Sequence, residues 1–564
     1  MTRPEHVENL VVGSGFGGAV AAYRLAAAGK PVLVLERGGA LPPGAFPRAP
    51  HLLRRNFWDP SAGLYGMWNV WFFKHYGALV SSCVGGGSLI YANVLLKKDE
   101  RWFVTEEPGR PGYERWPVTR ADLDPHYDEV LRQLDAQVYP QVAPYTATEK
   151  VNAFRAAVRR LADRDRAITL EAPPLAVTFA AGGGPPLPGA PIDLPNMYGV
   201  ARRTCVLCGE CIVGCNHGSK NTLDLTYLSR ATAKGADLRP LSEVRTLRRL
   251  AGGGPRFEVT YVVHDPARGP GPTADLPTRT VTCDRLIVAA GALGSTYLLL
   301  RNRAALGLDS PHLGTRFSGN GDLLSFALAC RDEGKRPYRV DPTHGPAITS
   351  ALRHADALDG AGAHGRGFYV QDAGFPTHLA WLAEGMNPVG FLARGLTLVR
   401  RMLRKLFGGD DDPDLSREIS DVFGSGDLAA TMLPLLGMGR DVPDGTLGLR
   451  KDRYLELHWS RARSADFFDR LEATSRQLAE ELGGTFVLNP TSKLFKRLIT
   501  VHPLGGAPMG ERADGGVVDS FGAAFGCDGL HVLDGSILPG PVGPNPALTI
   551  AAVADRAMTR LLAG

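Results

Sequence analysis

The chain has 564 residues, 44% hydrophobic and 21% charged, with a mean hydropathy of -0.08. That length is too great for one simple core, so two or more domains are expected in a globular protein. A net charge of +5 is small for this length and gives no footprint of nucleic-acid binding. No apolar run is long enough to span a bilayer, and M-T-R-P-E-H-V-E-N-L lacks the apolar centre of a secretory signal, so an intracellular, cytoplasmic protein is expected.

The first strongly patterned stretch runs from Val11 to Glu36. An apolar strand leads into a turn carrying Gly13, Gly15 and Gly18; Ala19 to Ala28 predicts a helix that Gly29 ends. Val32 to Leu35 reads as a second buried strand with Glu36 at its carboxyl end. This is the dinucleotide fingerprint. The first glycine makes the tight turn, the second lets backbone approach a pyrophosphate, and the third lets helix and strand pack closely. The helix N-terminus favours phosphate charge, and an acid about 20 residues on accepts a ribose hydroxyl. The pattern does not separate FAD from NAD.

Aromatic residues crowd positions 57 to 76, either as core or as an apolar lid or lipid-facing surface. Next, Gly85-Gly86-Gly87-Ser88 lets backbone amides approach a flat or anionic ligand, or forms a bare glycine turn. Residues 120 to 165 hold helical patterns. From 236 to 291, F-E-V-T-Y-V-V and T-R-T-V-T-C predict an antiparallel meander, followed by a separate buried strand, D-R-L-I-V, whose end at Gly291 and Ala292 leads into a helix. Strands alternate with turns from 310 to 500. Phe391 to Phe407 is basic and amphipathic, a solvated helix face or a peripheral membrane contact. An amphipathic helix is expected at 464 to 482. The last segment carries H-P-L-G-G at 502 to 506, a strand ending near Asp534, and a helix opening near Asn545.

Cys205, Cys208, Cys211 and Cys215 have the spacing C-x2-C-x2-C-x3-C, which resembles a ferredoxin iron–sulfur loop, although Asn216 stands where ferredoxins carry proline. Free thiols and zinc are the alternatives. Cys83, Cys283, Cys330 and Cys527 are scattered and read as buried core residues.

Together, Val11 to Glu36, V-G-G-G-S-L-I-Y-A-N at 84 to 93, V-A-A-G-A-L-G-S-T at 288 to 296, H-P-L-G-G and the run from Asp534 to Ile550 resemble the glucose-methanol-choline (GMC) flavoprotein family, in its cholesterol-oxidase-like branch with non-covalent FAD. The resemblance implies an α/β (α+β) fold. A Rossmann-like FAD-binding domain (1–110, 200–309 and 499–564) is interleaved with an antiparallel-sheet substrate-binding domain (111–199 and 310–498). It further implies that Gly13, Gly15, Gly18 and Glu36 hold the ADP half of FAD. Gly86, Gly87 and Ser88, with Asn93 behind them, would form the second flavin loop. By the same likeness the backbone of Val244 meets adenine, Gly291 and Ala292 end a strand by the cofactor, Asp534 lies near the ribityl chain, and His502 and Asn545 are catalytic.

Histidine is the natural proton acceptor at neutral pH and FAD the hydride acceptor. The expected activity is oxidation of a bulky apolar alcohol, with a sugar or polyol dehydrogenase or a non-catalytic flavin protein as alternatives. Oxygen or a partner protein would take the electrons. There is one departure. Where the cholesterol-oxidase branch carries a glutamate for steroid isomerisation, this chain has Gln371, with Asp372 expected on the opposite strand face.

Overall fold

The computed structural model describes residues 4–105, 114–360, 363–379, 427–489 and 498–563. The basic stretch from 391 to 407 lies outside them. Among the described residues no helix is long and apolar enough to cross a membrane.

The first strand, β1 (Glu5–Val12), goes from exposed at its start to fully buried at its end. It lies between two parallel neighbours, β2 (Val32–Leu35) and Thr278–Val288. Helix α1 (Phe16–Ala27) crosses between β1 and β2, burying Ala19 to Ala22 and Leu25 against the sheet. These small residues let the helix sit close to the strands. Asp237–Arg239 extends the parallel sheet beyond β2.

T-R-T-V-T-C and D-R-L-I-V are not separate strands, as the sequence pattern predicts, but one continuous strand, Thr278–Val288. It changes partners along its length. Its first half pairs antiparallel with Phe257–Val263, whereas its second half is flanked by β1 and by Leu530–Val532, both parallel. Asp284 does not break it, because the pattern changes with the neighbours and not with the backbone.

A second sheet has six strands, in the order Thr485–Leu488, Leu323–Leu328, Leu433–Gly439, Phe368–Asp372, Ala351–His354 and Ile168–Glu171. All its pairings are antiparallel. Helix Ala465–Glu481 lays Phe467, Phe468, Leu471, Leu478 and Ala479 on it, the spacing of one helical face. Each large apolar side chain so buried contributes roughly 1.5–3 kcal/mol.

A small third sheet pairs Leu498–Thr500 parallel with Tyr76–Ser81, and that strand antiparallel with Trp68–Phe72. The aromatic stretch is therefore divided. Phe73 and Tyr76 are core, while Phe72 is 65% and Phe57 40% exposed. The scattered Cys83, Cys283, Cys330 and Cys527 are all buried.

His531, on the strand beside Thr278–Val288, is drawn down to about 4 by burial and the nearby Arg285 guanidinium. An unfolded histidine titrates near 6.5. Between those values the unfolded chain binds the extra proton, so stability falls as pH falls through the window. Urea unfolding at pH 7 and pH 4.5 should show the native chain losing roughly 2–3 kcal/mol more than His531→Gln. Equal losses in both would remove His531 from the acid response.

Candidate active site

The three glycines after β1 have separate physical jobs. Gly13 has φ +96°, and a β-carbon there would come within 2.4 Å of Ala289 O. One at Gly18 would come within 2.1 Å of Gly13 O. Both are demanded by packing. Gly15, in contrast, faces open space, with nothing within 4 Å of a β-carbon. That is the position at which a pyrophosphate approaches backbone. Glu36 is buried, and burial raises its carboxyl. Its oxygens accept from Ser14 N (3.0 Å), Ser14 Oγ (2.7 Å) and Gly38 N (2.9 Å), which hold it at the end of β2. Ser242 N donates to Glu36 O at 2.7 Å, so Val244, two residues on, also lies by this strand end.

The second glycine loop packs on the first. Gly85 N donates to Ser14 Oγ at 3.1 Å, and a β-carbon at Gly86 would come within 2.7 Å of Gly15 Cα. Gly87 faces open space. The Ser88 hydroxyl is engaged internally, donating to Gly85 O and accepting from Leu223 N. Asn93 is fully buried with φ +70°, and neither polar atom of its side chain has a partner among the described residues. A buried amide left so costs free energy unless a ligand meets it. Asp534 is buried and binds Gly291 N (2.9 Å), Ser295 Oγ (2.5 Å) and Ser536 N (2.8 Å), tying two strand ends together. Gly291 has an open face, and Ala292 is buried behind it. Open glycine faces at three loop ends and the orphaned Asn93 amide fit FAD laid across the carboxyl ends of the strands.

His502 lies two residues past the end of strand Leu498–Thr500. Its Nδ1 lies 2.7 Å from Asp322 Oδ1. The other Asp322 oxygen accepts from Val501 N and Thr500 Oγ1, both at 2.8 Å. A carboxylate only accepts, so Nδ1 carries the proton and Nε2 is left as the acceptor, with no partner recorded for it among the described residues. Asp322 is a candidate positioning residue that sequence reasoning missed. Its signal is S-G-N-G-D at 318 to 322, a turn ahead of an alternating strand.

That same turn reaches Asn545. Asn320, with φ +56°, accepts from Gly543 N (3.0 Å) and donates to Pro544 O (3.1 Å). Asn545 itself is buried, and its Oδ1 accepts from Gln371 Nε2 at 2.7 Å. The two catalytic candidates are thus held by residues two apart in one turn. Asp372 faces away, as the alternation of a strand requires. It pairs with buried Lys150 at 3.0 Å and accepts from Thr349 and Ser350, so it is not a free base.

The four clustered cysteines do line one cavity, but no three Cys, His, Asp or Glu side chains among the described residues stand as ligands of one metal ion. Zinc therefore does not fit. The cavity holds only about 20 Å³. An iron–sulfur cluster, expected from the spacing, has no support in this arrangement. Burial raises the thiols of Cys205 and Cys208, the latter to about 12.

Residues 464–554 match the family described as GMC oxidoreductase, and residues 11–44 match the NAD(P)-binding Rossmann-like domain. A cholesterol oxidase of Mycobacterium tuberculosis is 29% identical, over 98% of this chain and 91% of that one. A 2-methyl-1,2-propanediol dehydrogenase of Mycolicibacterium austroafricanum is 26% identical, over 99% and 95%. The crystal structure of pyridoxine 4-oxidase from Mesorbium loti superposes with a TM-score of 0.58 at 17% identity, covering 98% of this chain and 99% of that one. This last likeness shows the fold.

Gly86→Ala should push the second loop off the first turn and lower the flavin content of the purified protein about tenfold, since both φ +50° and the Gly15 contact oppose a side chain. Gly253→Ala, with open space around it, is the folding control. Full flavin content in Gly86→Ala would separate this loop from the cofactor.

Proposed function

We propose, from the premise that this chain belongs to the GMC oxidoreductase family of FAD-dependent enzymes acting on alcohol groups, that it oxidises the hydroxyl of a bulky apolar alcohol with His502 as proton acceptor. The observation that carries this reading is the buried Asp322 carboxylate on His502 Nδ1. It holds the neutral imidazole in the tautomer whose Nε2 lone pair is free. As the substrate hydroxyl gives up its proton to Nε2, the new positive charge forms beside Asp322 and is stabilised there. With the Asn545 Oδ1 taken by Gln371, its Nδ2 remains to donate to the substrate oxygen and fix the carbinol hydrogen. Bound FAD would supply the hydride acceptor.

An apolar substrate is supported by the full-length likeness to a cholesterol oxidase. Val70 is 51% and Ile499 36% exposed on the small third sheet, and Val501, just after its last strand, is 42% exposed. Three exposed apolar side chains in this part of the chain are in keeping with an apolar molecule. The relatives bracket the choice, since one acts on cholesterol and another on a small diol. Gln371 replaces a carboxylate by an amide that neither takes nor releases a proton at neutral pH. The reading is therefore oxidation without isomerisation.

Anaerobic bleaching of the flavin by a panel of sterols, fatty alcohols, diols and sugars tests the substrate class; fastest bleaching by a sugar would overturn the apolar reading. In the same assay His502→Ala should keep its flavin and bleach 100- to 10,000-fold more slowly, on the order expected for loss of a general base. Unchanged bleaching would take His502 out of the mechanism. Asp322→Asn should slow bleaching at least about tenfold and alter its pH profile, because an amide no longer enforces the tautomer. An unaltered profile would reduce Asp322 to a packing role.

A further inference from the structure

Neither the clustered cysteines nor Lys220 takes part in the chemistry above. Lys220 and the four thiols share the walls of one cavity of about 20 Å³, room for about one water molecule. Lys220 is 1% exposed. Its ammonium donates to Leu89 O at 2.9 Å, Tyr91 O at 2.8 Å and Cys211 O at 2.9 Å. An ammonium has three protons, so every donor is spent bridging two loops. One is the cysteine loop. The other is the glycine loop of residues 84 to 93, read above as facing the flavin.

The bridge continues towards the dinucleotide turn. Lys220 Nζ stands 4.7 Å from the centre of the Tyr91 ring. That ring meets Phe16 edge-on, with centres 5.5 Å apart. Phe16 is the first residue of α1, directly after Gly15. A packed path therefore runs from the thiols through Lys220 and Tyr91 to the turn on which the pyrophosphate would rest. A buried ammonium without its carbonyls costs several kcal/mol, so neither loop can shift while the other stays.

We propose that Lys220 couples the cysteine cavity to the flavin loop, so that modification of the thiols is felt at the flavin. The proposal rests on the reading of residues 84 to 93 as a flavin loop. Lys220 touches neither substrate nor thiol sulfur in this role; it is a positioning residue.

The test uses the flavin-loaded protein and methyl methanethiosulfonate. The reagent forms a disulfide between a cysteine sulfur and its S-methyl group and releases methanesulfinate. Cys208, Cys211 and Cys215 are only partly buried and accessible to it, and peptide mapping confirms where the label sits. In the native protein, labelling these cysteines should shift the flavin absorption band and change the flavin reduction equilibrium about tenfold, and dithiothreitol should restore both. Lys220→Met, labelled to the same extent, should show no shift, and Lys220→Arg should retain most of it. A native protein whose labelled form keeps an unchanged flavin spectrum and reduction equilibrium overturns the coupling, and needs no variant to fold. An equal shift in Lys220→Met also overturns it. A chain that binds no flavin on reconstitution overturns the flavin reading and this proposal together, whereas flavin bound and silent overturns this one alone.

Discussion

One short turn, Ser318 to Asp322, holds the candidate active site together. Asp322 fixes the imidazole of His502, and Asn320 fixes the loop that ends in Asn545. The turn itself is over-determined. Ser318 and Gly319 are held by Asp441, a carboxyl that burial raises to about 7. A β-carbon at Gly319 would come within 1.5 Å of the Tyr76 hydroxyl, and one at Gly321 within 2.5 Å of the Phe467 ring. The two candidate residues, His502 and Asn545, are thus placed relative to one another by residues close in sequence. Alcohol oxidation by hydride transfer depends on such placement, because a misplaced group forfeits the advantage of a preorganised site.

Around this turn lie several buried charges. Lys98 is fully buried, donates to Pro541 O and Val542 O, and stands 4.5 Å from the centre of the Trp116 ring. Glu114 lies against Gly540 and pairs with Arg440, which also grips Asp356. Buried pairs of this kind contribute little net stability over apolar packing, since desolvation offsets their attraction. Their effect here is geometric. They meet the loop of residues 540 to 545 at Gly540, Pro541 and Val542, while Asn320 holds it at Gly543 and Pro544. Lys150 and Asp372 do the same beneath Gln371, on the other face of its strand.

Much of the cofactor half was legible in the linear chain. The positive φ of Gly13 and the contact of Gly18 with Gly13 O are local demands, and local demands leave a local signature. Gly13 and Gly18 are forced by contacts, and Gly15 is left open, as the spacing led one to expect. Asp322 left no such mark. It is 180 residues from His502 in sequence, and only the pairing of Leu498–Thr500 with Tyr76–Ser81, itself next to the turn, brings the two together. The merging of two predicted strands into Thr278–Val288 was equally hidden, because a strand's partners, not its own residues, set where its hydrophobic pattern changes. The cysteine spacing found no match in a single-ion site among the described residues. Four thiols do share a cavity, yet they do not converge as ligands of one ion.

By itself, then, the sequence determined the dinucleotide turn, the alternation that turns Asp372 away from Gln371, and the apolar faces that build both sheets. These follow from the period of a strand or helix and from steric limits at single glycines, which act over a few residues. The tertiary structure alone decided which carboxylate orients His502, which amide orients Asn545, and that Lys220 spans the cysteine and glycine loops. Those relations join residues far apart in sequence through hydrogen bonds whose partners are chosen by packing. No local pattern records them.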